Sequence, residues 1–188
     1  MIQNIPNIPG KTVKIKYDGS ITIAEGRSRH AKTWKNRELL WSELVEKLSQ
    51  TTRTRETFAE YQKMTKAQKD QVKDVGGFVG GALKNGRRKT DHISWRSLLT
   101  LDADYIKGDF WAAVEVMLGC ACVVYSTHSH SPSSPRLRLV IPLSRPVTPD
   151  EYPAVGRRVA ADLGIDFFDD TTYQPHRLMY WPSTSADG

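Results

Sequence analysis

The segment Leu99-Thr100-Leu101-Asp102-Ala103-Asp104 ends a strand-like run with two carboxylates two residues apart. Side chains alternate faces along a strand, so Asp102 and Asp104 are expected to point the same way. Like charges this close call for a positive partner, and a ligand set made only of oxygen suits Mg²⁺ or Mn²⁺. The competing reading is a polar strand end entering a turn. Further along stand Tyr125-Ser126-Thr127-His128-Ser129-His130 and then Pro135-Arg136-Leu137-Arg138-Leu139-Val140-Ile141-Pro142-Leu143. The histidines could be a metal pair, donors to an anion, or loop residues. In the second segment Leu137, Leu139 and Ile141 alternate with Arg136 and Arg138. This pattern predicts a half-buried strand with two guanidinium forks on one face, suited to phosphate oxygens unless they are simply solvated.

These residues need elements to position them, and the pattern supplies an order. Thr12 to Ala24 reads as a hairpin: Val13, Ile15 and Tyr17 alternate, Asp18-Gly19 is a two-residue turn, and Ile21 and Ile23 resume the alternation. Leu40, Trp41, Leu44, Val45 and Leu48 recur at helical spacing after a possible cap at Asn36. Phe58, Tyr61 and Met64 suggest a second helix, and Thr65-Lys66-Ala67-Gln68 a capping box that opens a third. Gly76-Gly77-Phe78-Val79-Gly80-Gly81 breaks the pattern. It lacks the Lys-Ser/Thr ending of a phosphate loop, so turn formation and close packing are expected of it.

From Ser97 the order is a strand to Ala103, a helix capped by Asp109 with Phe110, Ala113, Val114 and Met117 on one face and ended by Gly119, a strand Cys120 to Ser126 and a strand Arg136 to Leu143. Thr148-Pro149-Asp150-Glu151 opens a helix that runs to Leu163 and stops at Gly164, and Arg177 to Trp181 is a last short strand. The result is β-α-β-β-α-β, the order of ferredoxin-like and RNA-recognition-like folds. It implies an antiparallel sheet with two helices on one face.

The chain has 188 residues, of which 39% are hydrophobic, enough for a core. Net charge is +6 with pI near 9.3, compatible with a polyanionic partner. Basic residues are dense from Arg27 to Arg37, with Trp34 among them as a possible base-stacking group, and from Lys84 to Lys89. Arg27, Arg29, Lys32, Lys35, Arg87 and Arg88 are the candidate nucleic-acid contacts. Cys120 and Cys122 fit no common zinc spacing and read as reduced core residues of an intracellular protein. No stretch is long and apolar enough for a membrane span and the start lacks a signal-peptide pattern, so a cytoplasmic location is expected.

Taken together, the motifs resemble the primase-polymerase domain of the archaeo-eukaryotic primase superfamily. The likeness is to the phage and mobile-element branch found in front of virulence-associated E type helicases. It covers roughly residues 30 to 188. The family's acidic pair corresponds to Asp102-Ala103-Asp104, and its Ser-x-His-like motif to Ser126-Thr127-His128 or the overlapping His130. Its hydrophobic-Asp motif corresponds to Phe167-Phe168-Asp169-Asp170. The resemblance implies an α+β protein with an RNA-recognition-like, ferredoxin-like catalytic core over 97–188, and an N-terminal hairpin and helical subdomain over 1–96 packed on it. It implies two-metal nucleotidyl transfer from nucleoside triphosphates on a single-stranded DNA template. Asp102, Asp104 and Asp169 would be the catalytic, metal-holding carboxylates, with Asp170 an alternative neighbour. Ser126, His128, His130, Arg136, Arg138 and Arg177 would bind the triphosphate. On an extended segment both histidines would share a face, and His130 is favoured because it precedes the turn into the arginine strand. A helicase domain on the same polypeptide, or a partner helicase, is also implied.

Two other classes compete. A rolling-circle nicking endonuclease would use His128-Ser129-His130 as a metal site, but it needs a helix-borne tyrosine, and Tyr61 and Tyr152 sit in plain helices. A non-catalytic single-strand binding module would need aromatics on its exposed strands, where this chain has carboxylates and arginines.

Overall fold

The computed structural model describes Ile15 and residues 18–188. The first strand of the expected Thr12–Ala24 hairpin therefore lies outside the described residues, and its second strand is present as β1 (Ser20–Gly26). β1 pairs antiparallel with β2 (Lys35–Leu40). Asn36 is thus a strand residue and not a helix cap. Its amide instead holds the backbone of Leu83 through both its oxygen and its nitrogen, each at 3.0 Å. Helix α1 (Trp41–Ser49) begins only where this pairing ends, and buries Trp41, Leu44 and Leu48.

A short strand β3 (Thr52–Arg53) leads to α2 (Phe58–Lys63) and α3 (Lys66–Val72). Thr65 and Gln68 form the expected reciprocal box at the start of α3, and Thr57 and Glu60 form another at the start of α2. The glycine run then makes two three-residue strands, β4 (Gly77–Val79) and β5 (Gly81–Leu83), separated by Gly80. A Cβ on Gly80 would lie 2.8 Å from the Cβ of Leu98, so the chain can bend there from one sheet into the next only without a side chain.

The C-terminal half follows the expected order. β6 (Ile93–Ala103), α4 (Phe110–Met117), β7 (Val123–Ser126), β8 (Leu137–Val147) and α5 (Tyr152–Leu163) succeed one another. Asp109 caps α4 by accepting the Ala112 amide at 3.0 Å, and Gly164, at φ 114°, ends α5. Met117 is half-exposed rather than on the buried face of α4, and Cys120 is exposed with Cys122 half-buried, so neither cysteine is a core residue. Strand β7 begins only after them. Burial raises the thiols of both, that of Cys122 to about 11.

One sheet has the order β5-β6-β8-β7, which is the central part of a β-α-β-β-α-β fold. Its remaining position differs from expectation. The last strand, β9 (Met179–Tyr180), does not pair beside β6; that edge is filled by β5, and β9 pairs with β4 in a second sheet of order β2-β1-β4-β9. Gly77 permits the close approach, since a Cβ there would come within 2.2 Å of the Met179 carbonyl oxygen. Finally β10 (Ser183–Thr184) pairs parallel with β3.

The two faces of the central sheet bury different clusters. Leu99, Leu101, Leu139 and Ile141 pack under α4 and α5. Leu98, Val140 and Tyr125 face the other way, against Trp41, Leu44, Ile23 and Phe78 of the N-terminal region. That second face is therefore largely covered. Among the described residues no helix is long and apolar enough to cross a membrane.

Candidate active site

The candidate site is a cleft of about 790 Å³ between the central sheet and the N-terminal helices. Asp102, Asp104, Asp169, Ser126, His128, Arg136, Arg138 and Arg177 all line it. Two of these positions, and that of Tyr125 beside them, follow from strand register. Asp102 on β6 stands opposite Arg138 on β8, which stands opposite Tyr125 on β7. Asp104 follows two residues later, past the end of β6, and faces the same cleft. Asp169 arrives from far along the chain: its amide donates to the Asp102 carbonyl at 3.0 Å, and an isolated bridge joins Ala103 to Phe168.

The carboxylates have different surroundings. Asp102 is buried and accepts from Arg138 Nε at 2.6 Å on one oxygen and from Arg177 Nε at 3.2 Å on the other. Asp104 lies 3.2 Å from Arg136, yet its carboxyl is pushed above the usual range. Burial is the main cause, Arg136 opposes it, and Asp102 and Asp169 add to it. Burial also acts to raise Asp169, but the Thr171 hydroxyl and amide, with Arg177 and Arg136, outweigh it and hold the carboxyl below its ordinary value. Asp169 thereby caps the 3₁₀ turn Asp170–Tyr173. Asp170, the first residue of that turn, is exposed and does not line the cleft.

The cations also divide. Arg138 is 6% exposed, and its guanidinium is engaged by Asp102, by Tyr125 Oη at 3.1 Å and by the Tyr180 carbonyl at 3.0 Å. Burial opposes its charge, but Asp102 and Tyr125 prevail and strengthen it. The expected face of two parallel phosphate-binding guanidiniums is therefore not what the sheet builds: Arg138 is spent on Asp102, while Arg136 and Arg177 remain partly exposed.

The two histidines also diverge. Segment 127–130 is a turn, with the His130 amide donating to the Thr127 carbonyl at 2.9 Å, and not an extended strand. His128 enters the cleft. His130 does not line it, and its Nδ1 accepts the Arg136 amide at 3.2 Å. The favoured histidine is thus His128, and the pair does not form a joint metal site. His128 is held on both nitrogens, by Glu56 Oε1 and by Ser183 Oγ, each at 3.0 Å, with Tyr61 edge-on to its ring. Because a carboxylate only accepts, Nε2–H donates to Glu56. Burial pushes the imidazole below its usual pKa, and Glu56 only partly opposes this.

Several lining residues were not anticipated. Lys66 and Asp70 come from α3 and Lys73 caps its C-terminal end, and Arg29, Arg88, His176 and Tyr180 also line the cleft. The spacing of Lys66, Asp70 and Lys73 puts them on one helical face, the only sequence signal they give. Asp70 bridges Lys73 and Arg29, each at 2.8 Å, which holds its carboxyl at about 2. Of the candidate nucleic-acid contacts, Arg29 and Arg88 line the cleft, whereas Arg27, Lys32, Lys35 and Arg87 are exposed outside it. Trp34 is not available for base stacking. It is 5% exposed, and its indole N–H donates to the Ala31 carbonyl at 3.1 Å.

The donor chemistry of Asp102, Asp104 and Asp169 suits a hard divalent ion, and the raised carboxyl of Asp104 marks a spot where added positive charge would be favourable. Among the described residues, however, no three acidic, histidine or cysteine side chains converge on one point. Asp102 and Asp104 are instead paired with arginines, and Asp169 is held by Thr171.

The chain belongs to the VapE N-terminal domain family, whose model matches residues 7–188. This is the virulence-associated E branch that the motifs resemble. Among solved structures, the chain is similar to the AEP domain of the cyanophage S-2L primase-polymerase, with 15% identity and a TM-score of 0.42 over 86% of this chain and 71% of that one. No curated protein matches the sequence.

Proposed function

We propose that the chain is a primase-polymerase domain that joins nucleotides on a single-stranded DNA template. One observation carries the reading: Asp-x-Asp, Ser-x-His and hydrophobic-Asp, which stand in this order in the sequence, contribute Asp102, Asp104, His128 and Asp169 to the lining of one basic-rimmed cleft. Asp102, Asp104 and Asp169 would hold Mg²⁺ or Mn²⁺, which supplies charge neutralisation for an attacking 3′-hydroxyl and a departing pyrophosphate.

The chain's own residues do the rest. Arg138 fixes the rotamer of Asp102, so that this carboxylate is aimed before substrate arrives. Arg136 and Arg177, partly exposed on the rim, are the donors for the triphosphate oxygens. His128 stays neutral at pH 7 and anchors the floor between Glu56 and Ser183; a phosphate would have to displace one of these partners to reach its ring. The exposed Arg27, Lys32, Lys35 and Arg87 extend the positive surface for a template strand. Family membership favours a helicase as neighbour or partner.

Labelled-nucleotide incorporation on single-stranded DNA, with and without Mn²⁺, tests the reading. Metal-dependent products are expected. Template binding with no product under any metal would leave a nucleic-acid-binding module in place of an enzyme.

A further inference from the structure

Asp102 faces two arginines that differ in kind. Arg138 is built into the sheet: it is the cross-strand partner of Asp102, its side chain is 8% exposed, and Tyr125 and the Tyr180 carbonyl hold it from two further directions. Arg177 lies on the segment that leaves the 3₁₀ turn toward β9. Its side chain is 31% exposed, and its one side-chain hydrogen bond among the described residues is the 3.2 Å contact to Asp102. A single carboxylate thus has two full positive charges against it. In that state an incoming divalent ion meets a ligand with both oxygens in use.

We propose that Arg177 is an exchangeable counter-ion for Asp102, occupying the carboxylate in the free protein and giving it up when a divalent cation binds. The proposal rests on the reading of the cleft as a metal-dependent nucleotide site. Released Arg177 stays close to Asp169, whose carboxyl already feels its charge, and to the mouth of the cleft, where a phosphate would take it up. Metal binding and anion binding would then favour one another through a single side chain, with equal coupling in both directions. Arg138 cannot serve in this way, because withdrawing it from Asp102 would leave a buried guanidinium without its counter-charge.

The test is Mn²⁺ binding without nucleotide, followed by the loss of the free-ion electron paramagnetic resonance signal. Five proteins are compared: the unsubstituted chain, Arg177→Gln, Arg177→Lys, Lys66→Gln and Asp102→Asn. Lys66 lines the same cleft, so Lys66→Gln measures the general effect of removing one positive charge. Arg177→Gln should bind Mn²⁺ roughly three- to tenfold more tightly than the unsubstituted chain, beyond any gain in Lys66→Gln. Asp102→Asn, which has no anionic ligand at that position, should bind Mn²⁺ more weakly than the unsubstituted chain. Arg177→Lys, a second variant that keeps the charge on a shorter, more mobile reach, should fall between. If Mn²⁺ binds the unsubstituted chain and Arg177→Gln improves on it no more than Lys66→Gln does, the counter-ion role is overturned and the metal reading stands. If Mn²⁺ binds none of the five, with or without added nucleoside triphosphate, the metal reading fails and takes the proposal with it.

Discussion

At Asp102 and Asp104 the same side chain has opposite energetic roles. As isolated charges two residues apart, each should gain stability when the other is removed. The structure changes that for Asp102, because Arg138 depends on it. Asp102→Ala would leave a buried guanidinium with no counter-charge, a loss of about 3–5 kcal/mol. Chemical denaturation should show the drop, together with loss of any incorporation. Asp104 is the cleaner probe. Its folded pKa lies above the unfolded value, so the folded state favours the protonated form; that preference is present at low pH and is lost as pH rises through the folded pKa. At neutral pH Asp104→Asn should therefore keep or raise the melting temperature while abolishing metal-dependent incorporation. The stability gain should vanish below about pH 4. Full incorporation by Asp104→Asn would remove this carboxylate from the proposed site.

At the scale of elements, α3 is held to the loop after β1 by charge more than by packing, for it has no buried residue of its own. Lys73 and Arg29 clamp Asp70 between them, and Asp74 accepts the Arg29 amide at 2.9 Å. The Asp70 carboxyl is held at about 2, chiefly by Lys73 and then, against burial, by Arg29. Its contribution to folding is therefore present above about pH 4 and is lost as pH falls toward about 2. Asp70→Asn should flatten the acid limb of the stability curve across that window, by a modest amount because solvent screens the pair. Hydrogen exchange of the α3 amides should rise in the same variant. Unchanged exchange there would mean that the helix is held by something other than this clamp.

For the whole molecule, the joint between the two sheets depends on glycine and one arginine. Arg96 is fully buried with no carboxylate beside it. It donates to the carbonyls of Gly80, Pro175 and Leu98 and to the Thr100 hydroxyl, and lies 4.0 Å from the Tyr152 ring centroid. Burial lowers its pKa, but four oxygen acceptors and the ring keep it in place. Arg96→Met should cost roughly 2–4 kcal/mol, since buried carbonyls lose their donors. Gly77→Ala should do comparable harm by forcing β9 off β4. Urea midpoints measure both; a Gly77→Ala midpoint unchanged from the original would show that β9 can shift without loss.

What the sequence alone determined is local. Alternation around Leu99–Ala103 and Leu137–Ile141, the Asp109 and Thr65 caps, and the stop at Gly164 are set by side chains within a few residues of one another, and each stands where the pattern put it. The acidic pair was legible for the same reason, as a strand end, whereas Asp169 entered only through the resemblance of Phe167-Phe168-Asp169-Asp170 to the family's hydrophobic-Asp motif. Asn36 failed as a helix cap because its neighbourhood was decided by strand β1, which pairs with it from twelve residues away. Pairing over long separations was the tertiary structure's to decide. The order of strands said nothing of β5 taking the edge beside β6, which requires two backbones to touch at Gly81 and leaves β9 to β4. Nor could spacing show that Arg138 would meet Asp102 across a sheet, or that a turn would send His128 inward and His130 away. A charge's role depends on what stands within a few ångströms of it, and residues 36 and 75 positions apart along the chain supply that for Asp102.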